Sequence, residues 1–198
     1  NADGSVKHMV EFCPFTGSRL RVHGGQGFSE ESSWSRGVSW AVHGMAKMHS
    51  MTGDEIYLNA AKKVADFFIA HSLEDHVAPW DFKVELTEET PRDTSATACA
   101  ACGILEMSYH LKGEEQAHYY QAAEKMVKSL YENYGNFGND AEQGLLGGGT
   151  FNLPQGYGIG ISLIYGDYYF TEAIDRIRNY PTLPSTENVS ESSHAYAV

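Results

Sequence analysis

Tyr57-Leu58-Asn59-Ala60-Ala61-Lys62-Lys63-Val64 returns, without a gap, as Tyr119-Tyr120-Gln121-Ala122-Ala123-Glu124-Lys125-Met126. In both copies the apolar residues stand three and four apart, which lines one face of a helix. Each copy follows another helical stretch with a glycine inside it, Gly44 before the first and Gly103 before the second. A helix pair of this kind buries its apolar face by stacking on its neighbours. The chain therefore reads as all-α, built from αα-hairpins.

Outward from the repeat, the first helix is expected to begin near Trp34, after the serines and carboxylates of Ser29-Glu30-Glu31-Ser32-Ser33, and to stop at Thr52-Gly53. Trp40, Met45 and Met48 form its expected apolar stripe, and Ile56, Ala60, Val64, Phe67 and Phe68 that of the second helix. A loop with Pro79-Trp80-Asp81-Phe82 and Thr90-Pro91-Arg92 leads to Asp93, an N-cap for a helix reaching about Leu111. The next helix runs from Glu114 to about Tyr134, and the last from Gly166 to about Arg178. Between them Gly135 to Gly160 reads as a glycine-rich loop. At the other end, alternation in Val6–Phe12 and Arg19–Val22 around Pro14-Phe15-Thr16-Gly17 predicts a short β-hairpin. Residues 181–198, rich in Pro and Ser, read as a disordered tail.

Composition removes several functions. The 198 residues carry 14 Lys+Arg against 26 Asp+Glu, a formal charge of −12, with no basic cluster to displace counterions from a phosphate backbone, so no nucleic-acid partner is expected. The most apolar stretch, Ala96–Leu105, is about half of the roughly 20 residues needed to cross a membrane, so no membrane partner is expected either. Cys99-Ala100-Ala101-Cys102 has the spacing of a redox or zinc half-site, but it lies mid-helix among alanines with no second pair, and reads as small residues at a close helix contact. The glycines of Gly24-Gly25-Gln26-Gly27 and Gly147-Gly148-Gly149-Thr150 lack the lysine of a phosphate loop, and the 9 histidines form no His-Glu-x-x-His pattern. No metal and no cofactor is expected. The start at Asn1, without Met or signal peptide, reads as the processing or truncation of a longer chain, and the compartment stays open.

Trp34-Ser35-Arg36-Gly37-Val38-Ser39-Trp40 carries the chemistry. In a helix starting near Trp34, Arg36 and Trp40 are four apart and share a face. A guanidinium fork pairs both oxygens of a carboxylate while indoles stack on the apolar face of a pyranose, which suits a carboxylated sugar. Core tryptophans beside a snorkelling arginine would use the same residues, and composition alone favours that plainer reading.

With its surroundings, this segment resembles the unsaturated glucuronyl hydrolases, glycoside hydrolase family 88. The matching text is Gln26-Gly27-Phe28-Ser29, Ser33-Trp34-Ser35-Arg36-Gly37 with Trp40, Thr52-Gly53-Asp54-Glu55, Tyr57-Leu58, Trp80-Asp81-Phe82, Pro91-Arg92-Asp93-Thr94-Ser95-Ala96 and Ile164-Tyr165-Gly166-Asp167-Tyr168-Tyr169-Phe170. The resemblance implies part of an (α/α)6 toroid of six hairpins, with residues 1–180 as the C-terminal half of such a domain. It implies release of a 4,5-unsaturated uronic acid from the non-reducing end of lyase-generated oligosaccharides. In that chemistry an aspartic acid protonates C4 of the enol ether, water adds at C5, and the hemiketal opens.

By the same resemblance the family's catalytic aspartates lie upstream of the matching region, so this chain is expected to hold no catalytic residue and to be inactive alone. Asp81 and Asp93 are not promoted in their place; a cap explains Asp93. The carried-over substrate-binding residues are His8, Gln26, Trp34, Arg36 and Trp40, and the implied partners are an unsaturated uronic-acid oligosaccharide and the missing N-terminal half of the domain. The chain departs from many members at Val38 and at Ile159-Gly160, and Asn152, Gln155 and Tyr157 stand where sulfate-accepting members use Ser and Lys, which points to an unsulfated substrate. Arg36 at contact distance is expected to outweigh the screened repulsion from the −12 charge. Two other readings fit less of this text: the neighbouring unsaturated rhamnogalacturonyl hydrolases, which share toroid and chemistry, and a non-catalytic helical-repeat binding protein.

Overall fold

The computed structural model describes residues 1–181; of the expected tail, everything from 182 onward lies outside the described residues. The elements in chain order are β1 (Met9–Phe12), β2 (Arg19–His23), α1 (Ser35–Thr52), α2 (Glu55–His71), α3 (Thr94–Ser108), α4 (Gly113–Tyr134), β3 (Gly149–Asn152), β4 (Tyr157–Ile161) and α5 (Ile164–Arg178). Helix dominates, as the repeat predicts. Both expected αα-hairpins are present, α1 with α2 and α3 with α4, and the equivalent repeat residues Ala61 and Ala123 are both buried.

Helices α1, α3 and α5 lie side by side. Arg36 meets Asp93 near the start of α1 and Lys47 meets Glu106 (2.9 Å) near its end, so α1 and α3 run parallel. Gly166 sits against Ser95, the thiol of Cys102 donates to the Tyr169 carbonyl (3.0 Å) and Arg176 reaches Glu106, so α5 runs the same way. Helices α2 and α4 form a second layer, joined by Lys62–Glu115 (2.8 Å) and by Tyr119 Oη donating to Asp66 (2.7 Å). Three parallel inner helices backed by two outer ones make an arc of helical hairpins. Their N-termini gather at one end, and the site is built there.

The central helix explains the cysteines. Every residue of α3 from Thr94 to Ser108 is buried, and Ala, Cys and Gly supply the small side chains that a helix flanked on several sides requires. A Cβ on Gly103 would lie 2.6 Å from backbone atoms of His43, so α1 and α3 touch where only a glycine fits. Burial pushes the Cys99 thiol up to about 12 and the Cys102 thiol up as well, which leaves both protonated and inert. At the far end, Glu106 binds Arg176, Lys47 and the Ser50 hydroxyl (2.6 Å), tying α1, α3 and α5 together.

Several local expectations are corrected. The residues 135–160, expected to be a loop, contain a second antiparallel hairpin in which Thr150 pairs with Ile159 and Asn152 with Tyr157. Its signal is the alternation Tyr157-Gly158-Ile159-Gly160-Ile161, which the glycines obscure. The buried stripe of α1 is Val38, Val42, Ala46 and His49; Trp40 and Met48 are exposed. On α2 the buried face is Leu58, Ala61, Ala65, Phe67 and Phe68, with Ile56 exposed. Trp34 occupies the N-cap of α1 without a side-chain cap; Ser33 instead binds the backbone of Val6, its hydroxyl donating to the Val6 carbonyl (3.1 Å). Helix α3 stops at Ser108 rather than near Leu111, and α5 begins two residues before Gly166.

Candidate substrate-binding site

The site forms where the N-termini of α1, α3 and α5 meet the two hairpins. Asp81 shapes its first wall. This buried carboxylate accepts backbone N–H groups from Phe28 (3.0 Å), Ser33 (3.3 Å) and Lys83 (2.9 Å), clamping the segment that carries Gln26 and Trp34. Gly25 belongs to the same segment, at φ 58° with His8 against it, where a Cβ would lie 2.5 Å from the imidazole. His8 Nδ1 lies 3.0 Å from the Gln26 N–H, which fixes the loop against the strand.

Asp93 shapes the second wall. Its Oδ1 accepts from the Ala96 N–H (3.3 Å), the N-cap bond the sequence predicts, and from Ser95 Oγ (2.5 Å). Its Oδ2 accepts from Arg36 Nη1. The cap is therefore only half of what this carboxylate does. Burial holds its pKa above the ordinary carboxylate value, and Arg36 and the Ser95 hydroxyl offset only part of that rise.

All five residues singled out from the sequence come together. Trp34 is at the centre: His8 lies against its ring at 4.3 Å, Trp40 meets it edge-on at 5.3 Å, and the Arg36 guanidinium carbon lies 4.4 Å above it. The Phe151 carbonyl joins the remaining pair, accepting from Gln26 Nε2 (2.7 Å) and Arg36 Nη2 (2.7 Å). Trp40 keeps 49% of its surface open to solvent, so its indole is accessible at the rim of this cluster.

The geometry of Arg36 narrows the expected fork to one edge. The residue is 2% exposed, its Nη1 donates to Asp93 and to the Thr150 carbonyl (2.8 Å), and its Nη2 donates to Phe151. Nη1 is fully used and Nη2 holds one carbonyl, so the donors still open are Nε–H and the second Nη2–H, a side-on fork for a carboxylate. Among the described residues nothing pairs with Nε, so the edge left for a ligand is the Nε side. The sequence shows a cation between tryptophans; its buried anion stands 93 − 36 = 57 positions away and leaves no local trace.

Three contributors escape the sequence reading. Thr150 and Phe151 act through backbone carbonyls, which any side chain could supply. Tyr165, at the start of α5, places its ring 5.4 Å from the Arg36 guanidinium and has a buried hydroxyl without a partner among the described residues. Its position in the quoted Ile164-Tyr165-Gly166 stretch was the only available signal. Among the described residues no cluster of three or more His, Cys, Asp or Glu is placed to hold a metal, and no helix is long and apolar enough to cross a membrane. The largest cavity described, about 710 Å³, lies elsewhere, between α4 and α5, lined by Val127, Tyr131, Ile174 and Ile177.

No protein-family model matches the chain. It is 36% identical over 176 residues, 88% of its own length and 44% of the relative's, to the unsaturated chondroitin disaccharide hydrolase of Streptococcus agalactiae. The crystal structure of the unsaturated glucuronyl hydrolase of Bacillus sp. GL1, described as responsible for the degradation of glycosaminoglycan, superimposes with a TM-score of 0.87 at 32% identity, covering 90% of this chain and 48% of that one. A mutant of the Streptococcus agalactiae unsaturated glucuronyl hydrolase, complexed with dGlcA-GalNAc6S, matches with a TM-score of 0.79 at 36% identity over 91% of this chain and 48% of that one. The chain spans a little under half the length of the relatives it matches.

Proposed function

We propose, from the premise that this chain shares sequence and fold with the unsaturated glucuronyl hydrolases over about nine-tenths of its length, that it forms the substrate-binding wall of such an enzyme. The parent enzyme releases a 4,5-unsaturated uronic acid from the non-reducing end of lyase-generated oligosaccharides by hydrating the enol ether. His8, Gln26, Trp40 and the open edge of Arg36 hold the uronate ring, while Trp34, expected from the sequence to stack on the sugar, is 2% exposed and instead backs these residues from beneath. The carrying observation is their convergence on Trp34 and the Phe151 carbonyl, with Trp40 open to solvent.

The proton donor and the base that activates water belong to the remainder of the domain, so this chain alone has no turnover. Two observations support that division. Both buried aspartates near the site are consumed by the fold, Asp81 by three backbone N–H groups and Asp93 by Arg36 and the cap, which leaves neither free to exchange protons with a substrate. Among the described residues, α5 has no outer helix of its own beside the apolar groove it forms with α4, whereas α1 and α3 are each backed by one. The remainder of the domain fills it.

An uncharged second sugar fits this wall best. The β3–β4 hairpin, residues 149–161, has no Lys or Arg, and Asn152 Nδ2 is turned inward onto Gln155 Oε1 (2.9 Å). A sulfate there would meet no cation.

The test is loss of the enol ultraviolet absorbance of an unsaturated chondroitin disaccharide. The full gene product bleaches it, prefers the unsulfated form, and acts poorly on a pectin-derived unsaturated disaccharide; Trp40→Ala raises KM. Turnover by the isolated 198-residue chain, or an unchanged KM in Trp40→Ala, would sink the proposal.

A further inference from the structure

Arg36 shows a ligand one edge because something else holds the other. Its side chain has four rotatable torsions, and without a fixed partner a guanidinium of that length samples several orientations. We infer that Asp93 is a positioning residue of this site: it does not touch the ligand, and it fixes which edge of Arg36 the ligand meets. This rests on the reading of Arg36 as a uronate-binding residue given above.

The geometry carries the inference. Asp93 is wholly buried and cannot itself reach a ligand from solvent. It is immobile, because its own N–H donates to the Ala78 carbonyl (3.0 Å) and its Oδ1 is held by Ser95 Oγ (2.5 Å) and the Ala96 N–H (3.3 Å). The second oxygen is left for Arg36 Nη1 alone. The carbonyls of Thr150 and Phe151 then complete a three-point cradle around Nη1 and Nη2, which leaves Nε–H and the second Nη2–H as the open edge. A buried arginine facing only carbonyls would keep its charge but lose the anion that selects this orientation. Gln26 hangs on the same Phe151 carbonyl, so a turned Arg36 disturbs a second ligand-facing side chain as well.

Two effects of Asp93 on an anionic ligand have opposite signs, which makes the claim decidable. As a charge, Asp93 repels a uronate and partly cancels Arg36. As a positioner, it strengthens binding by presenting the Nε edge. Removing the charge with Asp93→Asn therefore lowers KM if the first effect governs and raises it if the second does.

The experiment uses the full gene product and an unsaturated chondroitin disaccharide, with Kd from tryptophan fluorescence read beside KM and kcat. In Asp93→Asn, KM and Kd rise at least tenfold, while kcat at saturation stays within about threefold. Arg36→Met raises KM similarly, and the double variant is no worse than Arg36→Met alone, because Asp93 acts only through that residue. If Asp93→Asn fails to fold, Ser95→Ala, which removes one short bond from Asp93 together with a longer contact to Arg36 Nη1 (3.4 Å) and keeps the pair, raises KM two- to fivefold. A residue that only stabilised the fold would lower the melting temperature and leave the KM of the folded enzyme unchanged. An unchanged or lowered KM in both the Asp93→Asn and Ser95→Ala variants, or additive effects in the double variant, overturns the inference. An unchanged KM in Arg36→Met overturns the reading of Arg36 itself, which separates the two failures.

Discussion

Replacing Asp81 by asparagine keeps the shape of the side chain and changes one oxygen from acceptor to donor. The carboxylate now receives three backbone N–H groups, Ser33 and Lys83 on Oδ1 and Phe28 on Oδ2, and it is buried. In the better amide orientation the new carbonyl oxygen keeps the first two bonds and the new NH2 faces the Phe28 N–H. One buried donor is then orphaned, at about 1–3 kcal/mol. The two retained bonds lose their charge assistance, which roughly halves their strength and adds about 1 kcal/mol. Asp81→Asn should thus cost about 2–4 kcal/mol, lowering the melting temperature by roughly 5–15 °C for a chain of this size. Asp81→Ala orphans all three donors and should cost more. Urea unfolding gives the magnitude, and hydrogen exchange gives the place: the amides of Phe28, Ser33 and Lys83 should lose protection before those of α3. A loss under 0.5 kcal/mol with unchanged exchange at these amides would refute the reasoning, since it would mean that the carboxylate does not clamp the loop.

Glu106 makes stability depend on acid: burial opposes ionisation, but Ser50, Lys47 and Arg176 more than offset it and hold the carboxyl at about 2 instead of 4.5. A carboxyl depressed on folding stabilises above its unfolded pKa and loses that contribution as pH falls from about 4.5 toward about 2, so the difference between wild type and Glu106→Gln in urea unfolding should shrink across that window by up to about 3 kcal/mol; a difference independent of pH would contradict the assignment. Gly103→Ala places a Cβ 2.6 Å from the His43 backbone, and overpacking of about 1–3 kcal/mol should outweigh the roughly 1 kcal/mol that alanine gains in a helix; a stabilised variant in thermal unfolding would show that α1 and α3 are free to separate. At low ionic strength the −12 charge of these 198 residues opposes a uronide, so binding of an unsaturated disaccharide to this chain, followed by tryptophan fluorescence, should strengthen as salt is added up to physiological strength; a weakening instead would mean that an unpaired cation steers the ligand.

What could be read from the chain alone follows range of interaction. The αα-hairpins were legible because helix periodicity is local and the repeated octet states it twice. The N-cap bond of Asp93 lies within three residues and was legible for the same reason. The core stripe of α1 was misread because Trp40 and the methionines look like core, whereas the buried positions are the smaller Val38, Val42 and Ala46. Which apolar face turns inward depends on the neighbouring helix, and the closeness of α3 selects small residues. Hairpin β3–β4 was hidden by glycines that alternate with its apolar residues. Of the five candidate binding residues, Trp34, Arg36 and Trp40 stood out by their spacing, while His8 and Gln26 were reachable only through resemblance; nothing local says that Gln26 and Arg36 will share the carbonyl of residue 151.

The pairing of Arg36 with Asp93 also changes how an acidic chain can hold an acidic sugar. Read from the sequence, Arg36 was a free cation set against a charge of −12. In the structure that cation is matched by a buried carboxylate, so the pair carries no net charge to attract a ligand from a distance. What remains is short-ranged: one oriented N–H edge, the Gln26 amide on the same carbonyl, and the open indole of Trp40. Interactions of that kind act only at contact and only in one orientation, so they discriminate by shape and hydrogen bonding more than by charge. A site built this way gains little from a ligand that is merely more anionic. The absence of Lys and Arg from residues 149–161 repeats the principle on the facing hairpin. Weak long-range attraction and the proposed preference for an unsulfated uronide are then two consequences of one arrangement, in which the site's strongest cation is held by the protein's own anion.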